Sequence, residues 1–157
     1  MKKILLPEIV SAGLYNAQAV FKSRSVSSNR KTTMFEIELP IGDGGTSYIN
    51  DTSHAISENL IILAKPGQIR HPRLPFKCYY VHMVVSEGQI YDILGSLPSY
   101  IEIADTSEIK ENFSFAYRKL CEWQTRGCVA FRKPCFEAYI YTCKPYKKGK
   151  NEGTAKE

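Results

Sequence analysis

Residues 76–85 read FKCYYVHMVV and form the longest predicted strand of the chain. Successive side chains of a strand point to opposite faces of the sheet, so this run divides into two sets. One face presents Phe76, Cys78, Tyr80, His82 and Val84. The other face presents Tyr79, Val81, Met83 and Val85. Aromatic and β-branched residues are frequent in both sets, which is typical of strands.

Shorter strands are predicted upstream of this run. Residues 35–39 alternate between apolar and acidic side chains, which predicts a half-buried strand with Phe35 on one face and Glu36 and Glu38 on the other. Further strands are predicted at residues 46–50, 60–63 and 68–71, separated by Gly-, Asn- and Pro-containing turns. Short strands at spacings of about 8 to 12 residues indicate a sandwich, a jelly roll or a small barrel.

The hydrophobic period becomes helical after the long strand. Residues 89–97 predict a short helix. A second helix, amphipathic with one apolar face, is predicted to begin near Asp105. Asp105 and Glu108, three residues later, resemble a capping box. Another helical pattern runs through residues 131–143 and stops at Pro145. The residues that follow are polar and predict a linker or a frayed end.

Length and composition indicate one globular domain. The chain has 157 residues, of which 43% are hydrophobic, and this is enough for a packed core and excludes collagen-like and wholly disordered classes. The net charge is +5, and the segment from residue 144 onward contributes +3 of it. A body so close to neutrality is poorly suited to holding nucleic-acid phosphates by itself.

Neither a membrane span nor a secretion signal is expected. No run approaches the roughly 18 apolar residues that a transmembrane helix requires. Pro7 and Glu8 interrupt the apolar run near the amino terminus, which otherwise resembles a signal peptide. The five cysteines form no C-x-x-C pair, which favours a reducing compartment over a disulfide framework or a zinc ribbon. We therefore expect a cytoplasmic protein.

Four segments, taken in order, resemble a known family. They are FEIELP at residues 35–40, YIND at 48–51, NLIILAKPGQIRH at 59–71 and FKCYYVH at 76–82. Their order and spacing resemble the amino-terminal domain of AraC-type bacterial transcription regulators, over about residues 10–145. The resemblance implies a mainly β fold, a cupin-type double-stranded β-helix (jelly-roll barrel) followed by two or three α-helices.

The resemblance also implies a division of the chain. The expected parts are an amino-terminal arm at residues 1–19, a cupin-like β-barrel effector domain at 20–86, a helical dimerisation region at 87–145 and a basic linker or disordered tail at 146–157. In the family a helix-turn-helix DNA-binding domain normally follows, and too few residues remain here for two helices and a turn. We expect an excised sensor domain that contacts DNA only through this missing domain, with a naturally standalone protein as the alternative.

The candidate ligand contacts are polar or aromatic side chains on the predicted strands. Arg70 can bond a carboxylate or a vicinal diol in a bidentate way, or be an ordinary surface arginine. His71 and His82 can each form a hydrogen bond with a ligand. The structural alternative is that His71 closes a loop and that His82 packs in the core. The aromatic candidates, which could stack on a flat ligand or simply pack in the core, are Phe35, Tyr48 and Tyr80. This set predicts a small polar effector, such as a sugar.

A metal site and an enzymatic activity have no positive support in the sequence. Cupin metal sites use His and Glu ligands, but two histidines one residue apart followed by a glutamate do not occur here. Nucleophile elbows, phosphate-binding loops and the H-E-x-x-H motif are also missing. We therefore expect no catalytic residue, metal or cofactor. A cupin-fold metal-dependent enzyme, either an isomerase or a dioxygenase, is the alternative.

The carboxyl-terminal helices are the predicted dimer interface. Their apolar stripe is larger than a small barrel can cover, which favours a second copy of the chain as partner. The predicted interface residues are Phe113, Tyr117, Leu120, Cys121, Phe131 and Tyr139. Cysteines recur every seven residues at positions 121, 128 and 135, which favours a packing seam over a redox switch. Together with the resemblance, these features predict an effector-sensing homodimer.

Overall fold

The computed structural model describes residues 5–21 and 25–125, with side chains up to residue 119. The strands in this part of the chain are β1 (Glu8–Asn16), β2 (Arg30–Lys31), β3 (Phe35–Pro40), β4 (Thr46–Ile49), β5 (Thr52–Ala55), β6 (Leu60–Ala64), β7 (Ile69–Arg73), β8 (Lys77–Val84) and β9 (Tyr100–Glu102). The helices are α1 (Ala17–Val20), α2 (Gln89–Ser96) and α3 (Ser107–Thr125). None of the helices in these ranges is both long and apolar enough to span a lipid bilayer.

The strands form two antiparallel sheets. One sheet has the order β1-β8-β3-β6-β9, and the other has the order β2-β7-β4-β5. The predicted mainly β class is therefore confirmed. Neither sheet closes on itself within the described residues, so the architecture is two facing sheets with open edges.

The inner faces of the two sheets share one hydrophobic core. Ile49 of β4 packs in the same cluster as Leu60 and Ile62 of β6 and Cys78 and Tyr80 of β8. Burying these side chains removes apolar surface from water, which is the main favourable contribution to folding. The core therefore holds the two sheets face to face.

A second apolar cluster lies on the outer face of the five-stranded sheet. Its buried members are Phe35, Leu63, Met83 and Val85. The side chains that α2 and its carboxyl-terminal end place over this cluster are Ile90, Leu94 and Leu97. Met83 and Val85 thus lie opposite the inward-facing Cys78 and Tyr80, as the alternation along residues 76–85 predicts.

The structure of β3 corrects the prediction of a half-buried strand, because five of its six residues are buried and they lie on both of its faces. Phe35 and Leu39 are almost inaccessible on the apolar face, and Glu36 and Glu38 are only 2% and 5% exposed on the acidic face. The outer cluster beneath α2 covers the first face, and the four-stranded sheet covers the second. The acidic side chains therefore point into the molecule rather than to solvent.

The five-stranded sheet extends beyond both expected limits of the effector domain at residues 20–86. β1 lies within the expected arm, yet it pairs along its length with β8. β9 lies within the expected helical region, yet it pairs with β6. Close approach of β1 is possible because Gly13 lacks a side chain: a Cβ there would lie 3.2 Å from the Tyr80 hydroxyl oxygen. Both edges of the sheet are therefore built from segments outside residues 20–86.

Helix α3 begins close to the predicted position. The Asp105 Oδ1 accepts hydrogen bonds from the Ser107 backbone nitrogen at 2.8 Å and from the Ser107 Oγ at 2.6 Å. Such bonds satisfy donors that the first turn of a helix leaves without a partner. The helix lies against β1 and β8, where the Tyr117 ring is 6.4 Å from the Tyr79 ring. The helix predicted at residues 131–143 lies outside the described residues.

Candidate functional site

Arg70 is a buried arginine that joins the two sheets. It lies on β7 and is 2% exposed, whereas the preceding Ile69 is half exposed. Its Nη1 donates to Glu36 Oε2 at 3.0 Å, and its Nη2 donates to Glu38 Oε2. Both acceptors belong to β3 of the opposite sheet. A charge-assisted pair of bonds therefore crosses the interior of the molecule.

Arg30 extends this contact toward solvent. It lies opposite Arg70 in the register of β2 and β7. Its Nη1 and Nη2 donate to Glu36 Oε1 and Oε2 at 2.6 and 2.5 Å, a bidentate arrangement. The Arg30 side chain is 40% exposed. Because Glu36 accepts from both arginines, their two positive charges can lie side by side.

His82 lies at the edge of these charges. It is paired with Glu36 in the register of β8 and β3, and its Nε2 is 3.9 Å from Glu36 Oε2. The imidazole centroid is 4.9 Å from that of the Tyr80 ring. Burial lowers the pKa of His82 below its usual value, although the charge of Glu36 opposes this shift. The lowered pKa leaves the imidazole of His82 neutral at pH 7.

The four charged side chains form what we call the charge network: Arg30, Glu36, Glu38 and Arg70. Burial opposes ionisation of Glu36, but the hydrogen bond from Arg30 and the charges of both arginines outweigh it and lower the pKa of the carboxyl. Burial also opposes the charged form of Arg70, and the two glutamates outweigh it and raise the pKa of the guanidinium. No buried side-chain nitrogen or oxygen in the described ranges lacks a hydrogen-bond partner. The network is thus neutral as a whole and fully bonded.

The charge network affects the pKa values of two neighbouring side chains. Burial raises the pKa of Tyr15 on β1 to about 12, and the charge of Glu38 adds to the effect. Burial raises the pKa of the Cys78 thiol as well, and the same carboxylate again adds to it. Tyr15 therefore keeps its phenolic proton at neutral pH. Cys78 stays a thiol, which disfavours a role as a nucleophile.

Glu36, Glu38 and His82 are also close enough to hold a metal ion together. One ligand atom from each residue lies within 4.8 Å of the others. Both carboxylates, however, already accept hydrogen bonds from Arg70, and Glu36 accepts two more from Arg30. A cation at this place would meet two guanidinium groups and would have to displace them. The donor set therefore fits an ion pair better than a metal ion.

The six predicted ligand residues do not lie together. Arg70, Tyr80 and His82 face the interior between the sheets. Phe35 lies on the opposite face of the five-stranded sheet, where its ring is 5.7 Å from the Tyr91 ring of α2. The other two, Tyr48 and His71, stack on each other with centroids 4.6 Å apart at an angle of 5°. They alternate with the inward-facing Ile49 and Arg70, so this stack lies on the outer face of the four-stranded sheet.

Two solvent-open cavities lie where β5 and β9 form neighbouring edges of the two sheets. The first has a volume of about 310 Å³ and is lined by Ile49, Asn50, Thr52, Gln68, Pro98, Ser99 and Tyr100. The second has a volume of about 390 Å³ and is lined by Ser57, Asn59, Glu102, Ile103 and Ala104. None of the six predicted ligand residues lines either of these two cavities. We call the first one the Tyr100 cavity.

Tyr100 connects this cavity to the interior. Its hydroxyl donates to the Ser47 carbonyl oxygen at 2.9 Å, and its ring centroid is 5.2 Å from that of His54. Burial raises the pKa of Tyr100, while the hydrogen bond to Ser47 and the positive charge of Arg70 oppose the shift. Ile49, which also lines the cavity, is the register partner of Arg70. The Tyr100 cavity and the charge network are therefore neighbours.

Sequence reasoning missed Arg30, Glu36, Glu38 and Tyr100 as site residues. The strict alternation of residues 35–39 places both glutamates on one face, and this was the available signal. Two carboxylates on one face of a strand usually indicate that this face is exposed to solvent. The alternation therefore did not suggest a buried site. The arginine partners lie on β2 and β7, which only the tertiary pairing brings to β3.

The predicted dimer interface falls mostly outside the described side chains. Phe113 and Tyr117 are half-buried on α3, and Tyr117 faces Tyr79 of the same chain. The side chains of the remaining four residues are not described: Leu120, Cys121, Phe131 and Tyr139. The part of α3 that is described thus packs partly on its own sheet.

No family model matches the chain, and no curated protein or solved structure is significantly similar to it.

Proposed function

We propose that this chain is the effector-sensing and dimerisation domain of a bacterial AraC-type transcription regulator, and that it binds a small polar molecule. One observation carries the proposal: an open cavity shares its wall with a buried network of charges. Tyr100 and Ile49 belong to the cavity lining, and they adjoin Ser47 and Arg70 of the interior. A molecule in the cavity would therefore touch residues that contact or pair with the network.

The charge network is better evidence for a role in sensing than for a role in stabilising the fold. Replacing a buried ion pair by apolar side chains is often neutral or even stabilising, so such a network is weak evidence for a structural purpose. The network does fix the relative positions of β2, β3 and β7. Glu36 can accept hydrogen bonds from both arginines only when these strands keep those positions. A bonded network of this kind can transmit a small displacement between strands.

The proposed coupling leads from the cavity to the surface of the domain. Displacement of β4 or β7 at the cavity would change the bond from Arg70 to Glu36 and, through the shared carboxylate, the bond from Arg30. Arg30 belongs to the edge strand β2, and Tyr15 of β1 lies in the field of the same charges. Allosteric couplings are typically about 1 to 3 kcal/mol, which is enough to change how a dimer presents its DNA-binding domains.

The alternative of a cupin-fold metal-dependent enzyme has less support. The three possible metal ligands are Glu36, Glu38 and His82, and arginines already engage both carboxylates. Metal analysis of the purified protein tests this alternative. A stoichiometric transition metal would favour the enzyme over the sensor.

A thermal-shift screen of sugars, polyols, small acids and amines tests the proposed function. A ligand that binds only the folded state stabilises it by about 2.7 kcal/mol at a concentration 100 times its dissociation constant. For a domain of this size that raises the melting temperature by about 5 to 10 °C. If no compound of any class raises it, the sensor proposal fails.

Dimerisation is tested by sedimentation at micromolar concentration. The native chain should sediment as a dimer, and Leu120→Asp should split it because a carboxylate in an apolar interface loses its hydration without compensation. Glu111→Lys is the matched control, because Glu111 is exposed on the other side of α3 from the predicted stripe. A monomeric native chain would contradict the helical interface.

A further inference from the structure

The outer face of the four-stranded sheet has no cover among the described residues. Tyr48 and His71 lie on this face because they alternate with inward-facing residues of β4 and β7. Four more side chains share the face through the strand register: Val26, Lys31, Ile69 and Arg73. The outward side chains of β2, β4, β5 and β7 include no buried residue and no aspartate or glutamate. We call this surface the open face.

The five-stranded sheet shows how an outer face is covered in this fold. Ile90 and Leu94 of α2 pack there on the cluster that contains Phe35 and Leu63, and they seal it from water. A second layer of this kind is how a sheet normally buries apolar side chains. The open face has no buried side chain, so no described helix covers it in the same way. Its apolar groups are therefore available to a partner.

The chemistry of the open face is arranged around an aromatic centre. Each end has an aliphatic side chain beside a cation: Ile69 is the register partner of Lys31, and Val26 is the bridge partner of Arg73. Ile69 is 49% exposed and Val26 is 42% exposed. The stacked rings of Tyr48 and His71 lie between the two ends, because His71 is two residues from Ile69 and from Arg73. Apolar and aromatic side chains at the centre with charges at the rim are typical of protein–protein interfaces.

The two cations have no carboxylate partner among the described residues. The ion pairs in this part of the chain include Arg30 and Arg70 but neither Lys31 nor Arg73. Arg73 is four residues along β7 from the register partner of Lys31, a separation of about 14 Å at 3.4 Å per residue. The open face thus offers two unpaired positive charges about 14 Å apart, with an apolar and aromatic strip between them.

Charge disfavours three other occupants of the open face. Two copies stacked through it would bring four cations together without a carboxylate, and like charges in an interface are costly. Residues 126–157 of the chain carry eight Lys and Arg against three Glu, so this segment has the wrong sign. A nucleic acid needs a denser row of cations, and exposed Ile69 and Val26 contribute nothing to phosphate binding. A negatively charged protein surface is the occupant that fits.

We propose that the open face is a docking site for an acidic amphipathic helix of a partner protein. Apolar side chains of this helix lie on Ile69, Val26 and the aromatic centre, as α2 lies on the other sheet. Its carboxylates pair with Lys31 and Arg73. Two turns of an α-helix span about 11 Å, and the long side chains cover the remaining distance, so the acidic residues are about two turns apart. This interaction is separate from effector sensing at the Tyr100 cavity.

Peptide display against the full chain tests the proposal. The probe is a library of helix-forming peptides of about 20 residues with randomised surface positions, and the selected peptides are then labelled and titrated by fluorescence anisotropy. We expect the binders to carry Asp or Glu at two positions about two turns apart, with apolar residues between them. Their affinity should fall as the NaCl concentration rises from about 50 to 300 mM, because salt screens exposed ion pairs.

Matched variants locate the binding surface. Lys31→Glu and Arg73→Glu should each weaken a selected peptide at least about tenfold, whereas Arg118→Glu, which reverses an exposed cation on α3, should leave it within twofold. Ile69→Ser should weaken binding about fivefold through lost apolar contact. Ile93→Ser on α2 is its control, because Ile93 is also 49% exposed. The melting temperature of each variant verifies that it is folded.

A charge exchange tests for direct contact with the peptide. A peptide in which lysine replaces one of the two acidic residues should bind Lys31→Glu or Arg73→Glu more tightly than it binds the native chain. A purely structural role of these cations would give no such rescue. Rescue together with the losses above supports the proposal.

Three results would overturn the docking site, and none of them bears on effector sensing. The first is a selection that yields no peptide whose binding depends on Lys31 or Arg73. The second is a labelled single-stranded DNA of about 20 nucleotides that binds the native chain at about 150 mM NaCl and is lost in both charge variants, which would make a nucleic acid the occupant. The third is a change in the sedimentation of the chain in Lys31→Glu or Arg73→Glu, which would make a second copy the occupant.

Discussion

Arg70→Met is expected to lower the free energy of unfolding by about 3 to 5 kcal/mol at pH 7. The substitution keeps most of the side-chain length but removes a hydrogen-bond donor to Glu38 and one of the donors to Glu36. These carboxylates are 5% and 2% exposed, so water cannot replace the lost guanidinium. Removing one partner of a buried pair typically has a cost of this size because the other charge stays buried.

The shared carboxylate makes the expected loss uneven. Glu36 still accepts from Arg30 in the variant, so most of the cost arises at Glu38. Arg30→Met is the matched control: its side chain is 40% exposed, and a partly solvated pair contributes only about 0 to 1 kcal/mol. Chemical denaturation monitored by circular dichroism measures both losses. At about 3 °C per kcal/mol, the melting temperature should fall by roughly 9 to 15 °C in Arg70→Met.

Acidification supplies a second readout for the same variant. A carboxyl group that takes up a proton loses its charge, so the cost of Arg70→Met should shrink between pH 7 and pH 4.5. The native chain should instead keep this contribution down to about pH 4.5 and lose it below, because the pKa of Glu36 is lowered on folding. A loss below about 1 kcal/mol at pH 7, or one that does not change with pH, would refute a sealed charge network.

Two further predictions concern the backbone and the buried imidazole. Gly45 has a φ of +79°, and a Cβ there would overlap carbonyl oxygens of residues 73 and 75, so Gly45→Ala should cost more than about 2 kcal/mol. Gly67→Ala, with a φ of +90° and no atom within 4 Å of the added Cβ, should cost only about 1 kcal/mol; equal melting temperatures would contradict this contrast. The pKa of His82 is lowered on folding, so the unfolded chain binds more protons below about pH 6.5 and the native chain loses stability there. His82→Gln should lose less stability between pH 7 and pH 5, and an unchanged slope would count against the burial of a neutral imidazole.

Local periodicity in the sequence predicts the strands of the fold but not its edges. The two faces of β8 follow directly from alternation, and the start of α3 follows from Asp105. β1 and β9 lie in the segments that the resemblance implies to be an arm and a helical region. Their strand character comes from partners distant in sequence, β8 and β6, whose free edges they cover.

The candidate site was less predictable than the fold for a related reason. Arg70 was selected from its chemistry, but its partners could not be, since Glu36 and Glu38 have the alternation of solvent-facing residues. The Tyr100 cavity is assembled from the turn after β4, the residue before β7 and the segment leading into β9. No periodic pattern links three such segments, and only the pairing of the sheets brings them together.

The shared acceptor gives the network a property that separate ion pairs would lack. Glu36 accepts one bond from Arg70 through the same Oε2 that accepts from Arg30, so one oxygen atom joins the two guanidinium groups. A shift of β7 that lengthens the bond from Arg70 would leave Arg30 as the nearer positive charge on that carboxylate. Because Ile49 is the register partner of Arg70 and also lines the Tyr100 cavity, occupancy of the cavity is the perturbation best placed to cause such a shift. The register pairing of Arg30 with Arg70 in β2 and β7 links the two arginines through the backbone as well.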